Sequence, residues 1–190
     1  MSYYKDHSKE YIANTFSCNM SEQYSFFEKH LKDKSSILDI GFGSGRDSLH
    51  FKNKGYDVYS VDPEESFVAH AKEIGLQNVY QLKAEEIGFA GVFDGIWACA
   101  SLLHIPSKDL KPVFKKCSTA LKDNGIMYVS FKQGDFEGER DGRFYLDLTE
   151  PKLKSLLEGT GLAIQEIKIT KDVRSDREDV WLNALLVKLS

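Results

Sequence analysis

Apolar positions recur at helical spacing over Lys5–Phe16 and Ser21–Leu31, with Tyr11 and Ile12, then Tyr24, Phe27 and Leu31, on the inward faces. The period then changes. Ser36–Ile40 is a short apolar run that predicts a buried strand, and Arg46–Lys54 places Leu49 and Phe51 on the inner face of a helix that Gly55 ends as a C-terminal cap. Asp57–Val61 restores strand character, so the unit is β-α-β, parallel and right-handed. The same alternation continues through a helix over Glu64–Ile74, with Val68, Ala71 and Ile74 inward and Gly75 at its end, and a third strand over Asn78–Leu82. A fourth strand follows at Gly95–Cys99, a helix at Ser107–Leu121 that either tolerates or kinks at Pro112, and a fifth strand at Ile126–Lys132. Gln133–Arg143, rich in glycine and charge, predicts a long loop, the kind that is functional or mobile in a compact domain. Thr149-Glu150-Pro151 opens a last helix ending near Gly159, and Ile164–Thr170 and Val180–Lys188 predict an antiparallel pair of closing strands at one edge. Seven strands interleaved with helices define an α/β class with a doubly wound, mostly parallel sheet, preceded by N-terminal helices.

The chemistry concentrates in Ile37-Leu38-Asp39-Ile40-Gly41-Phe42-Gly43-Ser44-Gly45-Arg46 and its sequel Tyr59-Ser60-Val61-Asp62. Gly41, Gly43 and Gly45 remove every Cβ that would keep a ligand from the backbone of the turn. Asp62 ends the second strand 21 positions after Gly41, near the spacing at which an acid reaches the vicinal hydroxyls of a ribose. The third glycine falls one place early for a dinucleotide fingerprint, and Gly45-Arg46-Asp47 lacks the lysine that a triphosphate loop requires. With Asp39 inside the strand before the loop, a ligand with a cationic end fits better than a polyphosphate.

An apolar strand with an acid, then G-x-G-x-G, then an acid closing the next strand resembles the class I methyltransferases that use S-adenosylmethionine, and Ile37–Asp62 carries that pattern with Phe42 where many members have a small residue. The resemblance extends to Phe93–His104, similar to the fourth-strand segment of that family, and to Leu121–Lys132, similar to its helix end, turn and fifth strand. Gly45-Arg46-Asp47, the Ala-Ser-Leu-Leu-His-Ile-Pro stretch at 100–106 and Ser-Phe-Lys at 130–132 with a later Gly-Arg look like bacterial small-molecule methyltransferases of the tellurite-resistance type. The resemblance implies a Rossmann-like core over residues 34–190, with residues 1–33 as helices covering the cofactor, in a single domain. It implies S-adenosylmethionine as methyl donor, S-adenosylhomocysteine as product and a small-molecule acceptor methylated by in-line displacement.

Residue by residue, the resemblance puts Gly41, Gly43 and Gly45 beside the methionine part of the cofactor, Asp62 at the ribose and Pro63 against the adenine. Ala84 and Glu85 would meet the adenine, although Lys83 stands where many relatives carry aspartate. Ala98 and Cys99 would pass nearest the reactive methyl, where small side chains leave room for both substrates. His104 is the candidate general base, its imidazole able to take a proton near neutral pH; the alternative is a ring that caps the next helix or bonds a backbone group. Arg46 either contacts the cofactor carboxylate or lies solvated on the first helical turn. Asp39 either organises the loop and the ligand's amino end or is a buried acid satisfied locally. Tyr11, Thr15 and Met20 would form a lid or belong to plain core. Lys132, Arg143 and Tyr145 would orient an anionic acceptor or form a salt-bridged surface. Trp97 and Trp181 read as core.

A length of 190 residues with 42% hydrophobic and 28% charged residues suits one domain with a sizeable core. No apolar stretch reaches the length of a membrane span and the polar start lacks a signal-peptide core, which predicts a cytoplasmic protein without membrane partners. Cys18, Cys99 and Cys117 form an odd set without metal-ligand spacing, so reduced thiols and no metal site are expected. A net charge of -4 argues against a nucleic-acid partner, and Arg140, Arg143, Lys171, Arg174 and Arg177 alternate with acids in a patch that largely neutralises itself. The competing functions are a non-catalytic S-adenosylmethionine-binding domain, a methyltransferase acting on RNA or protein, and a nicotinamide-dependent oxidoreductase. The last is disfavoured by the glycine spacing and the lack of a recognisable catalytic Tyr-x-x-x-Lys. Oligomeric state and acceptor identity leave no mark in the spacing.

Overall fold

The computed structural model describes residues 3–189, with side chains from residue 7 onward. Two helices, α1 (Tyr3–Thr15) and α2 (Ser21–Glu28), precede β1 (Ser36–Ile40), α3 (Arg46–Asn53), β2 (Asp57–Asp62), α4 (Glu65–Glu73) and β3 (Asn78–Gln81). Then come β4 (Phe93–Ala98), α5 (Ser107–Ala120), β5 (Leu121–Lys132), β6 (Glu137–Arg140), β7 (Arg143–Leu146), α6 (Glu150–Leu157), β8 (Leu162–Lys171) and β9 (Val180–Lys188). Short 3-10 turns occupy Ala84–Glu86 and Leu102–His104. The seven-stranded sheet runs β3-β2-β1-β4-β5-β9-β8. The first four pairings are parallel, while β9 joins β5 and β8 joins β9 antiparallel.

The two faces of the sheet are separated by the period-2 alternation of its strands. Leu38 and Ile40 of β1, Ile96 and Ala98 of β4, and Met127 and Val129 of β5 face a core shared with Leu110, Val113, Phe114 and Leu153 of α5 and α6. Ile37, Trp97, Ile126 and Tyr128 face the other way, where Phe26 and Phe27 of α2 and Phe51 of α3 close a second, aromatic core. The Phe27 ring lies 5.3 Å from Trp97 and 5.7 Å from Phe51. A Cβ on Gly95 would come within 2.7 Å of the Phe27 ring, so a glycine in the middle of β4 is what lets α2 dock. The second helix is thus a layer of the fold.

The expected loop over residues 133–143 is corrected by the structure, which folds part of it into a separate two-stranded ribbon of β6 and β7. The turn residues Asp141 and Gly142 have φ of 50° and 73°, the left-handed pair that a two-residue hairpin needs, and Asp-Gly is the signal for it. The alternation that should have announced the strands is hidden because β6 reads Glu-Gly-Glu-Arg. The helix expected to reach Leu121 ends at Ala120, and the following strand begins at once, with a register shift against β4 between Phe93 and Gly95. Pro112 sits inside α5 and the helix continues through it. Among the described residues no helix is long and apolar enough to cross a membrane.

Candidate functional site

In an open α/β sheet the crevice for a ligand lies at the carboxyl ends of the strands, where the order reverses. Here that point falls between β1 and β4, and the glycine turn of residues 41–45 leaves β1 directly above it. Gly41 and Gly43 have φ of 68° and 53°. A Cβ on Gly41 would lie 2.5 Å from Cβ of Ser101, and one on Gly43 would lie 2.9 Å from the Tyr11 ring. The bare backbone therefore serves the protein's own packing as well as the approach of a ligand. Tyr11 of α1 lies over the loop and touches Phe67 of α4 with ring centroids 5.4 Å apart.

Asp62 links the loop to the turn after β2. Its Oδ2 accepts the Gly43 N–H at 3.0 Å and its Oδ1 accepts the Glu64 N–H at 2.9 Å. Burial dominates over those two bonds and pushes its pKa up to about 6. Each carboxylate oxygen can accept a further bond, so capacity for hydroxyl donors remains. Around it a chamber is lined by Ile40, Gly41, Gly43, Pro63, Leu82, Lys83, Ala84 and Glu85, and by Ser101, whose Oγ is buried without a hydrogen-bond partner. Three carboxylates, Asp62, Glu64 and Glu85, face Lys83 and Arg143 here. That balance suits a neutral or partly cationic ligand better than a polyphosphate.

A second chamber lies beyond the first, between the ends of β4, β5 and β9 and the segment after β8, and it is lined by Gln23, Arg46, Cys99, Tyr128, Ser130, Lys132, Tyr145 and Trp181 among others. Tyr11, Ala100, His104 and Arg143 line both chambers. Ala100 holds φ of 49°, a left-handed conformation rare for a residue with a Cβ, while its N–H donates to Ser130 Oγ at 2.8 Å. Such strain costs about 1–3 kcal/mol and collects at functional positions.

His104 sits in the 3-10 turn with its Nδ1 2.7 Å from the carbonyl of Phe144 and its ring edge-on to Tyr145 at 5.0 Å. A carbonyl only accepts, so Nδ1 carries the hydrogen and the lone pair of the neutral ring is on Nε2. Burial pushes the imidazole down to about 4, the Phe144 bond opposing it only in part. The ring is therefore neutral at neutral pH and its conjugate acid is a strong one. Cys99, half-buried in the wall of the second chamber, has its thiol pushed up to about 12, first by desolvation, and stays protonated.

The sequence-predicted residues divide three ways. Gly41, Gly43, Asp62, Pro63, Ala84, Glu85 and Tyr11 line the first chamber. Arg46, Cys99, Met20 and Thr15 line the second instead, with Lys132, Arg143 and Tyr145. Asp39, Gly45 and Ala98 line neither. Asp39 is buried behind the loop, where Ser48 Oγ donates to it at 2.6 Å, and burial together with Asp47 raises its pKa. Gly45 is the left-handed N-cap of α3, and a Cβ there would meet Ile74 at 2.8 Å. Arg46 is neither solvated nor aimed at the first chamber. Its Nε and Nη2 bond the two oxygens of Asp47 at 2.6 and 2.9 Å, and its Nη1 donates to the Thr15 carbonyl at 3.2 Å. Lys132 pairs with Asp179 at 2.9 Å, and Trp181, expected in the core, is a wall of the second chamber. Ser101 and Gln23 were missed, since one serine and one glutamine carry no spacing signal.

A family model described as a methyltransferase domain matches residues 38–129, from β1 to the middle of β5. YqeM of Bacillus subtilis (strain 168), assigned by name to the methyltransferases, is 30% identical over 118 residues, covering 56% of this chain and 48% of its own length. The ubiquinone biosynthesis O-methyltransferase of Acinetobacter baumannii (strain AYE) is 29% identical over 102 residues, 50% of this chain and 42% of that one. The chain thus spans about half the length of these curated relatives. Burkholderia thailandensis 1,6-didemethyltoxoflavin-N1-methyltransferase, solved with 1,6-didemethyltoxoflavin and S-adenosylhomocysteine, superposes at a TM-score of 0.80 over 98% of this chain and 84% of that one, with 21% identity. That likeness extends the shared fold beyond the matched domain, through α1 and α2 at one end and β8 and β9 at the other. Residues 38–129 thus match a methyltransferase domain, and the chain as a whole shares the fold of an S-adenosylmethionine-dependent methyltransferase.

Proposed function

We propose that the protein transfers a methyl group from S-adenosylmethionine to a small-molecule acceptor, as one domain whose N-terminal helices cover the cofactor. The observation that carries this reading is the shared wall: a chamber suited to a nucleoside and a second, separate chamber meet at Tyr11, Ala100, His104 and Arg143. A bare binding domain has no use for the second chamber. The first chamber fits the cofactor by its own chemistry, since Asp62 can accept two vicinal hydroxyls, Ser101 offers an unsatisfied hydroxyl and the acids outnumber the cations. When bound, the cofactor supplies a methyl group already activated on a sulfonium, so the protein needs alignment and dryness rather than a nucleophile of its own.

Asp62 and the glycine turn would hold the nucleoside end. Tyr11 closes the chamber above Gly43, and the bond from Arg46 to the Thr15 carbonyl fixes the end of α1 that carries it. Ala100, with only a methyl side chain at the junction, leaves room for cofactor and acceptor to meet there. His104, neutral and oriented by Phe144, presents a hydrogen-bond acceptor at that junction and adds no positive charge next to a sulfonium. Its low basicity favours orienting the acceptor over removing its proton. The small heteroaromatic bound in the Burkholderia enzyme supports a small-molecule acceptor, and the resemblance to the tellurite-resistance type adds soft acceptors such as thiols to the compounds worth assaying.

Thermal shift tests the reading. S-adenosylhomocysteine should raise the melting temperature in a concentration-dependent way, because a ligand at a hundred times its Kd stabilises the native state by about 2.7 kcal/mol. A larger shift with NADH would overturn it.

A further inference from the structure

The second chamber has a charge that runs against the rest of the chain. The whole sequence is net negative at -4. Yet the cationic side chains of Arg46, Lys132, Arg143, Lys171, Arg174 and Arg177 all line this one cavity, against the carboxylates of Asp172 and Asp179. Two further acids stand behind the lining, Asp47 bound by Arg46 and Asp176 at 3.7 Å from Arg177. With these included, cations still exceed carboxylates six to four.

The acids are also committed to partners. Asp172 accepts from Arg174 at 2.8 and 2.9 Å and from Trp181 Nε1 at 3.0 Å, which holds its pKa down at about 2 against the effect of burial. Asp179 accepts from Lys132 at 2.9 Å. These pairs leave the acids little capacity to attract a cationic ligand, and the net positive charge of the lining favours an anion, with Lys171 and Arg177 at its exposed rim.

Two other features narrow the shape. The Tyr145 ring has Lys132 and Arg143 each 5.2 Å from its centroid and His104 edge-on, and Tyr128 and Trp181 add aromatic wall. Gln23, only 6% exposed, turns into the same cavity, and its Oε1 is buried without a hydrogen-bond partner. A buried amide oxygen without a partner is destabilising, and a hydroxyl or thiol on a bound molecule would supply the missing donor.

On the methyltransferase reading above, we infer that the acceptor is a small planar ring compound bearing an anionic group, held by the cationic side of the second chamber, and a hydroxyl or thiol within reach of Gln23. A hydroxybenzoate combines these features in one ring, and its amide is the matched neutral probe.

Calorimetry on the full chain saturated with S-adenosylhomocysteine tests this with 3- and 4-hydroxybenzoate against 3- and 4-hydroxybenzamide. At least one carboxylate should bind about tenfold or more tightly than its amide, and Lys132→Gln and the exposed Lys171→Gln should each reduce that preference several-fold while retaining S-adenosylhomocysteine binding. Equal affinity within both pairs, no binding of any of the four, or a preference untouched by both substitutions overturns the anionic acceptor. Failure of the wild-type protein to bind S-adenosylhomocysteine overturns the methyltransferase reading itself, so the two failures are distinguishable.

Discussion

Asp62 does two things with one carboxylate. It locks the glycine turn through the Gly43 N–H and the next turn through the Glu64 N–H, and it faces the first chamber. Asp62→Asn would set an NH2 against one of those N–H donors and remove the charge that strengthens hydroxyl bonds, each worth about 1.5–3 kcal/mol. The expected result is a loss of S-adenosylhomocysteine affinity of roughly 10- to 100-fold by calorimetry with the fold retained; unchanged affinity would remove Asp62 from the ribose. Wild-type affinity should also weaken as pH drops below about 6, towards the level of Asp62→Asn, because the ionised carboxylate accepts hydroxyl bonds more strongly than the protonated group. The place of this residue at the first chamber was legible in the sequence because it depends on spacing within one β-α-β unit. Asp39 and Arg46 were legible only as types. Which partner each takes, Ser48 for one and Asp47 with Thr15 for the other, is settled by what lies across the helix and under α1.

Helix docking depends on one buried acid at the start of α3. Asp47 accepts from Tyr24 of α2 at 2.5 Å, from Trp97 Nε1 of β4 at 2.9 Å and from the Arg46 fork, and its pKa stays low despite burial because of Arg46. The same contacts raise the Tyr24 pKa, burial first and Asp47 next. Asp47→Ala would strand a buried guanidinium, a phenol and an indole N–H together. Breaking a buried pair in this way costs about 3–5 kcal/mol, so urea unfolding should show a loss of that order, and a loss below about 1 kcal/mol would mean that α2 and α3 are held by apolar packing alone. The elements joined by Asp47 were predicted with ends off by a few residues, since hydrophobic period marks where an element lies and leaves the cap open. The β6–β7 ribbon was missed for a different reason. Its strands are short and charged, with Arg140 lying over Phe136 at 4.0 Å and paired with Asp147, so burial never imposes an alternation.

Across the whole molecule, two titrations near the chamber junction oppose each other. Asp62 has a folded pKa of about 6, above its ordinary 3.8, so the folded state binds more protons and stability falls as pH rises from about 4 to 6. His104 has a folded pKa of about 4, below its ordinary 6.5, so the unfolded state binds more protons and stability rises over almost the same window. Each is worth on the order of 3 kcal/mol when complete, and the two largely cancel. Asp62→Asn should therefore unmask a stability that climbs from pH 4 to 6.5, and His104→Gln one that declines from pH 4 to 6, read by urea unfolding at fixed ionic strength. Parallel pH profiles for both variants would show that these groups titrate normally. The doubly wound sheet, its antiparallel edge, the glycine turn and Asp62 can be read from the chain alone, because each follows from local period, short spacing and the handedness of β-α-β units. That Tyr11, Ala100, His104 and Arg143 share a wall, that Gln23 and Trp181 line a second chamber and that cations gather there emerges from the packing in three dimensions. Those residues lie far apart along the chain, and only the packing of α1, α2, the β6–β7 ribbon and the β8–β9 segment around the sheet brings their side chains together.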